Sequence, residues 1–126
     1  TQAKTLFPYT TLFRSRVTRI VDTFLEHARV WYFGNGGKPK LFLGSPDWMR
    51  RNLYRRIEAV TPILDPDLKR ELSDMLSIQL SDKRKACFVD DHLRNRWKSA
   101  RPQKEKVRAQ YTFYEYLKSG ELRVES

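Results

Sequence analysis

The sequence predicts an α/β domain with a small mixed sheet and flanking helices. Three observations carry that expectation. Two apolar segments, Arg29–Phe33 (RVWYF) and Lys40–Leu43 (KLFL), flank Asn35-Gly36-Gly37, a hairpin pattern because those turn residues tolerate positive φ. The triplet Asp65-Pro66-Asp67 precedes an apolar stripe of helical spacing, as at a capped helix start. Hydrophobic content of 40% and aromatic content of 13% over 126 residues suit one packed domain with a modest core and exclude a disordered tail.

The elements follow in chain order. Residues 1–15, TQAKTLFPYTTLFRS, lack acids and periodicity. The stretch TLFPYTTLFRS resembles translated adapter sequence, so this segment is expected to be non-native and is kept out of the fold, which begins at residue 16 and runs to 126. Val17, Ile20, Val21, Phe24 and Leu25 recur at helical spacing, which predicts a short amphipathic helix over Arg16–Glu26. The hairpin strands Arg29–Phe33 and Lys40–Leu43 come next, and Gly44-Ser45-Pro46-Asp47 opens a loop. Arg56–Thr61 reads as a third strand stopped by Pro62, because proline lacks a ladder donor. Asp65 caps a helix whose Leu68, Leu72, Met75, Leu76 and Leu80 form a core stripe. Lys83–Val89 gives one more short strand, and His92–Pro102 is a polar, basic loop. A last helix is expected over Lys104–Lys118, with Val107, Tyr111, Tyr114 and Leu117 near one face and Gly120 ending it. Trp31 and Trp48 read as core aromatics and Cys87 as an inert packed residue.

Charge and composition narrow the function. The formal net charge is +10, which favours a polyanionic partner: nucleic acid, an anionic membrane or polyphosphate. No apolar run approaches the roughly 20 residues that span a bilayer. The single cysteine excludes an internal disulfide and fits a reducing, cytoplasmic setting. No His/Cys cluster has the spacing of a metal site.

Two segments carry chemistry. In Leu25-Glu26-His27-Ala28-Arg29-Val30 a histidine sits at the junction of the expected helix and the expected strand, and Gly44-Ser45-Pro46-Asp47-Trp48-Met49-Arg50-Arg51-Asn52 follows the second strand of the hairpin. A hairpin brings the start of its first strand close to the end of its second, so His27, Arg29 and the Gly44–Asp47 loop should meet at one sheet edge. Such a cluster suits phosphoryl transfer. Histidine serves as nucleophile or acid/base, arginines bind phosphate oxygens with paired donors, and a Gly-Ser turn offers backbone N–H groups. Transition-state charge spreads over phosphate oxygens, which positioned cations stabilise. For several of these residues a structural role competes. Arg29 can pair with Glu26 or Asp47, Ser45 and Asp47 can shape the turn, and Glu58 can pair with Arg29 or Arg56. His92 is expected to be an ordinary surface residue.

His27-Ala28-Arg29, then Gly44-Ser45-Pro46-Asp47-Trp48 and Glu58, resemble the His-x-Lys, Gly-Ser-x-Asn, Glu pattern of the phospholipase D superfamily. Arg29 stands in place of the lysine and Asp47 in place of the asparagine. Those departures match one branch. Ile20–Val30, Asn35-Gly36-Gly37, Ser45–Glu58, Pro62–Lys69 and Lys106–Gln110 together resemble the polyphosphate kinase family, over about residues 16 to 119. That family usually has alanine where Pro46 stands.

The resemblance implies a phospholipase-D-like C-terminal domain of an enzyme that reversibly transfers the terminal phosphate of ATP to inorganic polyphosphate. It implies that the phosphorylated histidine lies in a preceding domain outside this chain, and that His27 is the second active-site histidine, contacting the ATP phosphates. Arg29, Ser45, Arg51 and Arg56 are the candidate phosphate or polyphosphate contacts. Magnesium is implied only as the companion of ATP, with no ligands in this chain. The implied partners are ATP, ADP and polyphosphate, in a homo-oligomeric full-length enzyme with no nucleic-acid partner; peripheral membrane association is compatible with the charge. This stretch alone is expected to be inactive. Two other readings rest on the same residues: a phospholipase-D-like phosphodiesterase half-site, and a non-enzymatic basic module that binds nucleic acid.

Overall fold

The computed structural model describes residues 16–98 and 107–119. Nine helices and strands follow in chain order: β1 (Thr18–Ile20), β2 (Val30–Phe33), β3 (Lys40–Gly44), α1 (Arg50–Arg55), β4 (Val60–Ile63), α2 (Pro66–Ser81), β5 (Ala86–Val89), β6 (Asn95–Trp97) and α3 (Ala109–Ser119), with a 3-10 turn at Asn35–Gly37. The α/β class stands. The expected single mixed sheet is instead two three-stranded sheets, ordered β1-β5-β6 and β2-β3-β4, and every described pairing is antiparallel. The chain divides into two compact units, one of Leu25–Asp74 and one of Thr1–Phe24 with Met75–Ser126. No described helix is long and apolar enough to cross a membrane.

The unit of Leu25–Asp74 holds the β2-β3-β4 sheet, α1 and the first turns of α2. The hairpin forms as its residues require. Val30 pairs with Leu43 and Phe33 with Lys40, and Asn35, Gly36 and Gly37 all take positive φ in the connection. Leu41 is its buried centre. The third strand starts four residues later than expected and continues through Pro62, opposite Phe42. Among the described strands β4 pairs only with β3, so Pro62 sits on a strand with a free edge, where its missing donor costs no ladder bond. Helix α1 was not anticipated in the sequence: its N-cap Met49 supplies no side-chain bond, and its RRNLYR sequence carries no apolar stripe. Asp65 caps α2 as expected, its Oδ1 accepting from the Asp67 and Leu68 amides at 2.9 and 3.0 Å.

The other unit holds the β1-β5-β6 sheet, the last turns of α2, and α3. Here the expected helix over Arg16–Glu26 is overturned. Thr18–Ile20 is a strand, paired through Arg19 with Cys87, and no helix occurs from 16 to 26. The segment is rich in β-branched Val17, Thr18, Ile20, Val21 and Thr23, which favour a pleated surface. The 92–102 loop likewise contains strand β6, which completes the sheet against β5. Cys87 is fully buried and unbonded to another cysteine, and His92 is exposed, both as expected.

The stripes shift. In α2, Met75 and Ile78 are buried while Leu68 and Leu80 are exposed. Helix α3 begins at Ala109, and Val107 precedes it. Its inward face is Ala109, Thr112, Phe113 and Tyr116, while Tyr111, Tyr114 and Leu117 are exposed. The expected helical residues Lys104–Lys106, the stop at Gly120 and the segment 1–15 lie outside the described residues.

Two carboxylates organise this unit. Asp82, 0% exposed, accepts from the Arg84, Lys85 and Ala86 amides through Oδ1 and from the Ala109 amide through Oδ2. It thereby closes the turn after α2 and caps α3. Asp22, whose side chain is 1% exposed, receives a forked pair from Arg108 at 2.8 and 2.6 Å. That hydrogen bonding holds its carboxyl at about 2. Because the folded value lies below the ordinary one, the stabilisation is complete above pH 4 and disappears as pH falls through 2. The Asp22→Asn variant is therefore expected to be less stable by about 2 kcal/mol at pH 7, with the difference vanishing near pH 2. Urea titrations across that range check it, and a pH-independent difference contradicts it.

Candidate functional site

Three strand ends build the site. Antiparallel register places the start of β2, the end of β3 and the start of β4 side by side. The Gly44 amide donates to the Arg29 carbonyl at 3.1 Å, and the Ser45 amide to the Ala59 carbonyl at 3.0 Å. His27 and Arg29 therefore arrive ahead of β2, Ser45 and Asp47 leave β3, and Glu58 approaches β4. The hairpin expectation holds on this point. Gly44 is required by packing: a Cβ there would lie 2.8 Å from the Trp31 ring and 2.9 Å from the Val60 side chain.

Two hydrogen-bonded groups occupy this edge. In the first, Arg29 Nε donates to Asp47 Oδ1 at 2.7 Å, Nη1 to the His27 carbonyl at 3.4 Å, and Nη2 meets His27 Nδ1 at 3.4 Å. Arg29 thus pairs with Asp47, one of the three carboxylates expected for it, the others being Glu26 and Glu58. The Arg29 hydrogen bond holds the Asp47 carboxyl below its ordinary range, and the charge of Arg51 acts in the same direction. The same bond raises the guanidinium of Arg29. His27, Arg29, Asp47 and Arg51 are therefore electrostatic neighbours.

In the second group, Ser45 Oγ donates to Glu58 Oε2 at 2.6 Å and accepts from the Ala59 amide at 3.1 Å. Asn52 Nδ2 donates to Glu58 Oε1 at 2.8 Å. Those two donors keep Glu58 below the usual carboxylate range. A hydroxyl has one proton, and that of Ser45 is committed to Glu58. Ser45 therefore clamps the 44–47 loop to the start of β4, and the backbone and the arginines are left to supply donors to an anion.

Asn52, only 5% exposed, is the member that sequence reasoning missed. It lies on α1, a helix the pattern did not reveal, and its carboxylate partner is six residues away in the chain.

Arg51 and Arg56 stand on the exposed side and make no side-chain hydrogen bond or ion pair to another described residue. Arg56 lowers Glu58 through its charge alone. Trp48 is 80% exposed and not the core aromatic expected, because it precedes α1 on the outer side of the loop; Trp31 is half-buried against Gly44. A hollow of about 660 Å³ is lined by Arg50, Leu53, Tyr54 and Arg55 and includes none of the expected site residues. His27 itself is exposed, in an open cluster and not an enclosed pocket. Among the described residues no group of three or more His, Cys, Asp or Glu could hold a metal ion. Asp47 and Glu58 are already bonded to Arg29, Ser45 and Asn52, so these two carboxylates are not free to hold a resident magnesium.

Comparison with known proteins bears on this geometry. The family described as "Polyphosphate kinase C-terminal domain 2" matches residues 13–110. The polyphosphate kinase of Escherichia coli is 49% identical over 106 residues, which are 84% of this chain and 15% of that protein. The polyphosphate kinase of Vibrio vulnificus is 41% identical over 105 residues, 83% of this chain and 15% of the relative. In solved structures, polyphosphate kinase from Porphyromonas gingivalis superposes with a TM-score of 0.77 at 54% identity, covering 83% of this chain and 16% of that one. The chain thus spans about 15% of the length of the curated relatives it matches.

Proposed function

We propose that this chain, which belongs to the polyphosphate kinase C-terminal domain family, supplies a phosphate-binding edge to an enzyme that reversibly transfers the terminal phosphate of ATP to polyphosphate. The observation that carries the reading is the convergence of His27, Arg29, Asp47 and Arg51 at the ends of β2 and β3. In the transfer, the bond between the terminal phosphorus of ATP and its bridging oxygen breaks. The phosphoryl group passes to a histidine outside this chain and then to the terminal oxygen of polyphosphate, leaving ADP.

This chain's residues stabilise charge. His27 meets a phosphate oxygen of ATP. Arg51 and Arg56, with no ion-pair partner among the described residues, offer paired N–H donors to successive phosphates. Arg29 and Ser45, engaged with Asp47 and Glu58, hold the edge in shape. Magnesium bound to ATP neutralises phosphate charge; none of these roles depends on a metal ligand from this chain.

A polyphosphate-binding edge also distinguishes this reading from a general basic module. The chain is expected to bind linear polyphosphate more tightly than single-stranded DNA at matched salt, and Arg51→Gln with Arg56→Gln is expected to reduce the salt dependence by about two counterions. Fluorescence anisotropy competition checks this. A preference for DNA, or an unchanged salt slope, contradicts it.

A further inference from the structure

We propose that Arg29, anchored by Asp47, is a positioning residue that biases the neutral imidazole of His27 to the tautomer protonated at Nε2, so that His27 meets phosphate as a hydrogen-bond donor and not as a nucleophile. The inference deepens the phosphate-binding reading and rests on it for the identity of the anion.

The argument starts from donor counting. A guanidinium carries only donors and stays protonated. Where Arg29 Nη2 lies 3.4 Å from His27 Nδ1, that nitrogen must therefore present its lone pair. A proton on Nδ1 would set two donors against each other. A neutral imidazole has one N–H, which is then on Nε2. Neither ring nitrogen is left with a lone pair for attack on phosphorus: Nε2 carries the proton, and Nδ1 faces the arginine.

Both contacts from Arg29 to His27, to Nδ1 and to the main-chain carbonyl, are 3.4 Å long. Such bonds orient a ring only if the guanidinium is itself fixed. The 2.7 Å charge-assisted bond from Nε to Asp47 Oδ1 fixes it, since one firm bond on Nε sets the plane of the whole group. Asp47 leaves β3 on the loop that Ser45 and Glu58 clamp, so the orientation of the imidazole is carried back to the sheet.

The test is nitrogen-15 NMR of the chain labelled at its two histidines, recorded at pH 8.5, with exposed His92 as the internal reference for an unrestrained ring. His27 is expected to show the Nε2–H pattern alone. Arg29→Met is expected to give a mixture of tautomers like that of His92, Arg29→Lys to restore part of the bias, and Asp47→Asn to shift it partway. Asp47→Asn also serves if Arg29→Met does not fold. A wild-type His27 with the same mixture as His92, or a ratio unmoved in folded Arg29→Met and Asp47→Asn, overturns the proposal. Tripolyphosphate is then added as the probe. A shift of the His27 Nε2 line supports both readings, whereas an Nε2–H tautomer that ignores tripolyphosphate supports the positioning role and sinks the phosphate-binding one.

Discussion

Asp82→Ala is expected to cost about 4 kcal/mol of folding stability, because it strands several buried backbone donors at about 1–3 kcal/mol each. Asp82 is wholly buried and accepts four backbone N–H groups, two from the turn before β5, one from the first residue of β5 and one from the first residue of α3. Alanine removes every acceptor, and the Ala86 and Ala109 amides, whose bonds to Asp82 are buried, lose their partner. Asp82→Asn is expected to cost less: its oxygen can serve the turn, but its amide nitrogen then faces the Ala109 N–H. Urea denaturation reads the effect as a shift of midpoint with an unchanged slope. A loss below about 1 kcal/mol for the alanine variant contradicts the hub role, since surface substitutions stay within about 0.5 kcal/mol.

Nothing in the run Ser81-Asp82-Lys83 announces that role, and the reason is general to this chain. Signals confined to a few consecutive residues were legible. Asn35-Gly36-Gly37 specified the hairpin connection through its need for positive φ, and Asp65-Pro66 specified the start of α2 through a cap that reaches two and three residues ahead. Signals that depend on a distant partner were not. Thr18–Ile20 has apolar neighbours at helical spacing, but its conformation is decided by Ala86–Phe88 across the sheet. The face that α3 buries departs from the sequence expectation because tyrosines 111 and 114 are amphipathic: both stay exposed, and Arg108 lies 4.1 Å from the Tyr111 ring centroid.

The candidate site divides along the same line. That His27 and Arg29 would meet the Gly44–Asp47 loop followed from hairpin topology alone, and the Gly44 to Arg29 bond realises it. The pairing of Arg29 with Asp47 was one of three open choices, and the structure selects it. That Glu58 would be taken up by Ser45 and Asn52, and not by an arginine, required knowledge of α1, which brings Asn52 under the loop. The resemblance to polyphosphate kinases pointed to the correct family because it rests on several motifs in order; the family's C-terminal domain matches residues 13–110.

The central claim is that the imidazole of His27 meets phosphate as a donor. Its most direct measurement is ATP-dependent polyphosphate synthesis by the full-length enzyme carrying this domain, compared among wild type, His27→Ala and His27→Gln. Removing a donor aimed at developing phosphate charge is expected to lower kcat/KM by about 100-fold or more. Glutamine, which keeps an N–H donor but cannot form a phosphohistidine, is expected to recover about tenfold of that loss. Near-normal synthesis by His27→Ala contradicts the claim that His27 serves the reaction, and equal losses in the two variants contradict its role as a donor.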